Sequence, residues 1–345
     1  VHSAADDVRR AIDAGGGAIR FDEFIRLALY GEHGFYLGAR AGRAGRRGDF
    51  LTSPEVGPLF GTVIARALDE WWEDLSRPDQ FDVVEVGAGP GTLARAVLAA
   101  APSCASALRY TAVEISAVQR AMHPSGIESV ANFPERNLTG VILANELLDN
   151  LPFRLFVYDD GWRESYVGYE SGQFVEHLVT SGTLPSCLPS TASHGARAAV
   201  QDAARQWVES AFKSLTRGRV VAFDFCTTTA AMTRRPWREW LRTYSSHDRG
   251  GHYLAYVGEQ DITVDVAIEQ LSPASSVSTQ SSFLRRHGIE ALVEEGRAIW
   301  REQAGNPDLS AMRMRSRVRE AEALLAPSGL GGFSVLEWTT STTRQ

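Results

Sequence analysis

The stretch Val83-Val84-Glu85-Val86-Gly87-Ala88-Gly89-Pro90-Gly91-Thr92-Leu93 constrains the fold more than any other part of the chain. A β-branched apolar run enters a turn built on three alternate glycines. Apolar residues then recur at helical spacing, at Leu93, Ala96, Val97 and Ala100. Strand, glycine turn and helix in that order make a nucleotide-binding entrance, because glycine bends sharply and approaches a ligand without a Cβ clash. The spacing is Gly-x-Gly-x-Gly, not Gly-x-Gly-x-x-Gly, and Glu85 stands two residues before the first glycine. A pyrophosphate asks for amides around its oxygens; a carboxylate at the strand end suits a ligand that carries positive charge.

The surrounding pattern alternates strand and helix. Strands are expected at 81–87, 108–115 and 140–145, with helices at 91–101 and 116–122. Parallel strands with helical crossovers imply an α/β, doubly wound sheet that binds ligands at the carboxyl ends of its strands. Before it, 4–14, 21–30 and 56–75 read as helices, and 31–60 contains an irregular loop long enough to be functional. After it, Leu155–Tyr158, Glu164–Tyr169 and Gln173–Leu178 resemble a β meander inserted into the sheet domain. A Ser/Thr/Pro-rich break precedes a helix near 195–216, and Val220–Phe225 reads as a further core strand. Helices at 281–303 and 307–326 and a final strand at Phe333–Trp338 close the chain. The division expected is therefore 1–75, a helical cap with a loop that covers the cofactor, and 76–345, a catalytic domain with an insertion at about 153–216.

Several classes are disfavoured. A formal net charge of −7 argues against a nucleic-acid binder, and no apolar run approaches a membrane span. Three scattered cysteines, Cys104, Cys187 and Cys226, exclude a cysteine-based zinc site and fit a reducing compartment. The N-terminus lacks the pattern of a secretory signal, so a cytoplasmic location is expected.

Four carboxylates fall at strand ends. S-adenosylmethionine brings a sulfonium and an α-amino group and no phosphate, which suits Glu85; NAD or FAD is the other ligand such a turn takes. Glu114 ends the strand Tyr110–Glu114 and is placed to accept both ribose hydroxyls of an adenosine, a device that methyl-donor and dinucleotide enzymes share. The run Ile142–Pro152 ends its strand in Asn145-Glu146, with Asp149 three residues on. These side chains could orient an amine or cationic acceptor, and Asn-Glu could equally open a helix as N-cap and acidic first turn. Asp224 follows another apolar strand, either facing the same crevice or forming a turn. His247, Asp248, His252, Glu259 and Asp261 lack helical metal-ligand spacing, so a structural or substrate-contact role is expected and no metal. The basic run Arg313–Arg319 reads as a solvated face or a site for an acidic partner.

Three blocks together resemble the MidA-like class I S-adenosylmethionine-dependent methyltransferases: Gly48-Asp49-Phe50-Leu51-Thr52-Ser53-Pro54-Glu55-Val56 with Phe60-Gly61, the glycine turn, and Ala144–Pro152. The segments His252–Val266 and Gln280–Leu284 with Gly288-Ile289 follow in the family's order, so the resemblance spans about residues 20–290. It implies a Rossmann-like class I methyltransferase sheet, with an N-terminal segment folding over the cofactor. It also implies S-adenosyl-L-methionine held by Glu85, Gly87, Gly89, Gly91, Glu114, Pro54 and Glu55. The acceptor class implied is a protein arginine, with Glu146, Asn145 and Asp149 as catalytic residues. The competing expectation is a non-catalytic assembly factor that keeps the fold. The chain departs from the family at Cys226, where glycine is usual after Asp224-Phe225, at Asn150, where alanine follows the aspartate, and at Ser281, where glycine follows the glutamine.

Overall fold

The computed structural model describes residues 2–38, 52–245, 248–306 and 308–340. The chain divides into two compact units. The first comprises Val1–Phe50, Glu146–Ser210 and Asp224–Pro273; the second comprises Leu51–Asn145, Ala211–Phe223 and Ala274–Gln345. Two of the crossings between units fall at or next to the end of a strand, between Asn145 and Glu146 and between Phe223 and Asp224.

The second unit is organised by seven strands: β1 (Phe81–Val86), β2 (Leu108–Val113), β3 (Glu128–Val130), β4 (Leu138–Asn145), β5 (Leu215–Asp224), β6 (Ser276–Thr279) and β7 (Ser334–Thr339). Their order across the sheet is 6-7-5-4-1-2-3. Strands β3, β2, β1, β4 and β5 run parallel, and β6 is antiparallel to β7. The doubly wound sheet expected from the alternating pattern is present. Two of its strands, β3 and β6, carry no clear alternation and were not expected. Strand order reverses at β1, where the chain runs outward through β2 and β3 and returns on the other side as β4. A sheet of this kind binds its ligand at the carboxyl edge of such a switch point. The register sets Val86 opposite both Val113 and Ala144, so Gly87, Glu114 and Asn145 follow at the same edge.

Every residue of β1 is buried, which is why Val83 and Val84 are apolar on successive faces; its two acids, Asp82 and Glu85, are buried as well. The helix Pro58–Asp74 contributes Phe60, Val63, Ile64 and Leu68 to a core with Val83, Leu143, Val221 and Phe283. Phe223 meets Phe60 and Phe283 edge-on, with centroids 5.5 and 5.1 Å apart. Gly61 has a packing reason: a Cβ there would lie 2.4 Å from the Ala96 Cβ on the helix Thr92–Ala99. The helix expected at 56–75 is preceded by a short turn, Ser53–Val56. The one expected at 281–303 is two helices, Gln280–Arg286 and Ile289–Gln303, parted at Gly288, whose φ of 84° cannot continue a helix.

In the first unit, Ala18–Arg20, Trp162–Glu170, Arg154–Tyr158 and Arg197–Val200 pair antiparallel in that order, and Gln173–Val179 also pairs with Trp162–Glu170. The meander read from sequence is there. Arg197–Val200 is a strand where the start of a helix was expected; its Ala-rich composition suits a helix, but pairing with Arg154–Val157 decides, and the helix begins at Asp202. Ala18–Arg20, too short for any periodicity, ties the N-terminal helices to this sheet. Helix Ala4–Ala14 starts with a capping box between Ser3 and Asp6. With Phe21–Tyr30 it buries Val8, Ile12, Phe24 and Leu29 in a core shared with Leu155, Val167, Trp240 and Ile262.

Candidate cofactor site and acidic cluster

The glycine turn needs its glycines. Gly87, Gly89 and Gly91 have φ of 72°, 53° and 75°, the left-handed region that costs a residue with a Cβ about 1–2 kcal/mol. The Gly87 and Ala88 amides donate to the Val113 carbonyl at 3.0 and 3.1 Å, which fixes the turn to the end of β2. Gly91 is the N-cap of helix Thr92–Ala99 and brings no side-chain cap. Glu85 supplies one from below. Its buried carboxylate accepts the Ala94 amide and, at 2.7 Å, the Tyr110 hydroxyl. Burial pushes Glu85 up to about 7; Glu114 adds to the rise, and the two hydrogen bonds oppose it. The sequence reading points this carboxylate at the cationic end of the cofactor. In the structure it also meets Tyr110 and the helix N-terminus, and so helps to hold the turn.

Glu114 stands at the same edge. Its Oε2 accepts the Gly89 amide at 3.0 Å and its Oε1 the Ser116 amide at 2.8 Å. Burial raises its pKa, and these two amides pull the other way. Each carboxylate oxygen keeps a second lone pair for a ligand hydroxyl. His123, which sequence reasoning missed, bonds through Nε2 to the Gly89 carbonyl at 2.8 Å and through Nδ1 to the Ser129 hydroxyl at 2.8 Å. Both polar groups of Gly89 are therefore fixed, the amide by Glu114 and the carbonyl by His123. Ile115, next to Glu114, leaves 39% of its surface exposed and offers a flat apolar contact.

Pro54 and Glu55 lie on the turn Ser53–Val56, with Pro54 at its first positions, where a missing N–H costs nothing. Glu55 is buried. The turn is anchored by Gln280: the Ser53 hydroxyl donates to Gln280 Oε1 at 2.9 Å, and Gln280 Nε2 donates to the Leu324 carbonyl at 3.2 Å. The glutamine of the Gln280–Leu284 block thus positions the Pro-Glu block. Gly48-Asp49-Phe50-Leu51 lie outside the described residues, as does the rest of 39–51 in the loop read as a cofactor cover.

The other candidates lie in the first unit, except Asn145, the last residue of its segment of the second. No helix follows β4, which removes the N-cap reading of Asn145-Glu146. Asn145 closes β4 opposite Phe223, and Glu146 takes a left-handed φ of 52°, a strained position for a side-chain-bearing residue. Asp224 is fully buried and accepts the Leu148, Asp149 and Phe225 amides at 2.9, 3.3 and 2.9 Å. Burial and the Glu146 carboxylate push it up to about 8. Asp149 is buried beside it. Burial, then Asp224 and Asp261, hold its pKa well above the usual range, and its Oδ1 has no hydrogen-bond partner among the described residues. Asp261 accepts from Tyr36 at 3.0 Å, from its own neighbour Ile262 at 2.9 Å and from Asn150 Nδ2 at 3.1 Å. The structure therefore brings Glu146, Asp149, Asp224 and Asp261 into one acidic set. It does not bring His252 there: that ring packs against Trp237 and Tyr253. His247 lies outside the described residues, and no metal-holding cluster occurs among those described.

The sequence profile of a family described as "Putative S-adenosyl-L-methionine-dependent methyltransferase" matches residues 63–285. The chain belongs to this family. A Burkholderia thailandensis crystal structure bound to S-adenosyl-homocysteine superposes with a TM-score of 0.83 at 26% identity, covering 98% of this chain and 92% of that one. The protein arginine methyltransferase NDUFAF7 of Danio rerio, a mitochondrial protein by name, is 24% identical over 324 residues, 81% of this chain and 75% of its own length. The Drosophila melanogaster NDUFAF7 homolog is 40% identical over 83 residues, which is 24% of this chain and only 18% of the fly protein. S-adenosylmethionine is the methyltransferase's cofactor, and the turn fits it. Glu114 has lone pairs to spare. A Cβ on Gly89 would meet only one atom within 4 Å, so the space beside it is open for a ligand.

Proposed function

We propose that this methyltransferase modifies a protein acceptor at an arginine side chain, with Glu146, Asn145 and Asp149 as the catalytic residues. The observation that carries the reading is Asp149, a buried carboxylate with an oxygen unmatched among the described residues, set against Asp224 and Asp261. Like-charged carboxylates gathered out of water are stabilised by a cation, and a guanidinium meets them with paired N–H donors. The relatives' names, which say protein arginine methyltransferase, point to the same acceptor.

In the reaction the acceptor nitrogen attacks the methyl carbon in line with the sulfonium. The N–C bond forms as the S–C bond breaks, S-adenosylhomocysteine leaves, and the nitrogen loses a proton. Glu146 orients the guanidinium and draws positive charge away from the attacking nitrogen. Asp149, when ionised, takes the proton. Alignment of this kind is worth up to about 7–11 kcal/mol of barrier.

The test is incubation with radiolabelled methyl donor and a cell extract, followed by acid hydrolysis and separation of the amino acids. Label in methylarginine is expected. Label confined to lysine, a carboxyl ester or a small molecule overturns the acceptor. Glu146→Gln is expected to cut turnover at least 100-fold while S-adenosylhomocysteine binds unchanged. Wild-type turnover in that variant overturns the role of Glu146.

A further inference from the structure

The glycine turn faces one buried polar side chain that neither the motif nor the hydrogen-bond pattern explains. Gln119 lies on the short helix Ala117–Arg120, five residues beyond Glu114, and is 3% exposed. Its Oε1 is buried and makes no hydrogen bond among the described residues. The same oxygen is the one atom within 4 Å of a Cβ built on Gly89, at 3.7 Å. An acceptor is therefore held, unmatched, at the rim of the open space beside Gly89, whose amide is held by Glu114. Leaving such an oxygen unpaired is costly. A methionine or leucine would fill the same volume without that cost, so the amide needs a donor that arrives with the ligand.

We propose that the ribose diol of the cofactor is divided between two side chains, one hydroxyl donating to Glu114 and the other to Gln119. Glu114 already accepts an amide on each oxygen, from Gly89 and from Ser116. One acceptor direction is left on each of its oxygens. Each hydroxyl has a single hydrogen, and Gln119 Oε1, buried and unmatched among the described residues at the rim of the same space, is the acceptor that gains a partner only when the ligand binds. His123, by fixing the Gly89 carbonyl, holds the backbone between the two acceptors.

The experiment is titration calorimetry of the full chain with S-adenosylhomocysteine and its 2′-deoxy and 3′-deoxy forms, on wild type, Gln119→Met and Glu114→Gln, with melting of the ligand-free proteins. Gln119→Met is expected to weaken S-adenosylhomocysteine binding about tenfold. That loss should vanish for only one of the two deoxy forms, and the loss in Glu114→Gln should shrink for the other. The ligand-free Gln119→Met protein is expected to melt about 1–3 °C higher, because an unmatched buried oxygen is gone. Equal loss for all three ligands, no loss, or both variants coupling to the same hydroxyl overturns the division. A lower melting temperature shows that Gln119 is satisfied inside the fold, and overturns it too. Gln119→Leu repeats each arm should the methionine variant not fold.

Discussion

Replacing Glu85 by glutamine makes stability, not catalysis, report on the site. Glu85 is buried, holds the Tyr110 hydroxyl and the Ala94 amide, and sits at about 7 against an ordinary 4.5. The folded state binds this proton more tightly than the unfolded chain does. The group's contribution is therefore fully present below about pH 4.5 and is lost as pH rises to about 7. A rise from 4.5 to about 7 corresponds to about 3 kcal/mol between those limits. Glutamine has nearly the shape of the protonated acid and never ionises. At pH 5 the variant should match wild type within about 1 kcal/mol, and at pH 8.5 it should be the more stable by about 2–3 kcal/mol. Other buried acids, Glu114, Asp149 and Asp224, tilt both proteins alike and cancel in the difference. Urea unfolding of the ligand-free chain at pH 5, 6, 7 and 8.5, followed by fluorescence, gives the comparison. Tyr110→Phe removes a bond that lowers the pKa, so its sloping window should extend to higher pH than in wild type. A stability difference between Glu85→Gln and wild type that is the same at pH 5 and 8.5 refutes the burial of an ionisable cap beneath the turn.

Gly89→Ala should abolish measurable S-adenosylhomocysteine binding by calorimetry while lowering stability by only about 1–2 kcal/mol, since the added methyl enters the open ligand space at a left-handed φ. Gly61→Ala should do the reverse, costing about 1–3 kcal/mol in urea unfolding through its clash with Ala96 and leaving cofactor affinity within about threefold. His123→Phe should weaken cofactor binding about tenfold, read by the same calorimetry, by releasing the Gly89 carbonyl.

The turn, the sheet class and the carboxylates at strand ends were legible because each is local: an apolar run, a glycine spacing and one residue beyond. What was not legible joins residues far apart in the chain. Ser53 meets Gln280 across 227 positions and Tyr36 meets Asp261 across 225, and neither contact leaves a periodic trace. Glu85 carries a contact that its motif does not show: Tyr110, one strand over on β2, donates to its carboxylate, and only the register of β1 on β2 reveals that. Cys226 shows the converse. Its departure from the usual glycine suggested a changed loop, but Cys226 has no left-handed φ and pairs in extended conformation with Val266. Glycine's freedom is not required there.

Asn150, the other departure in the acidic block, is tied to the cluster more directly than its sequence suggests. Its side-chain amide donates to Asp261 Oδ1 at 3.1 Å, and the Tyr30 hydroxyl holds its carbonyl at 3.2 Å. Where alanine is usual, this chain places a donor beside a fully buried carboxylate that also raises the pKa of Asp149. A hydrogen bond to an ionised group is worth about 1.5–3 kcal/mol, so Asn150→Ala should cost that much in urea unfolding at pH 8. The bond favours ionised Asp261, and ionised Asp261 favours protonated Asp149. The variant should therefore also ease ionisation of Asp149. In the proposed reaction the rise of turnover with pH should shift to lower pH in Asn150→Ala, because the proton acceptor loses a negative neighbour. A stability loss with an unmoved pH profile would separate Asp261 from the acceptor chemistry and leave its bonds to Tyr36 and Asn150 a structural role.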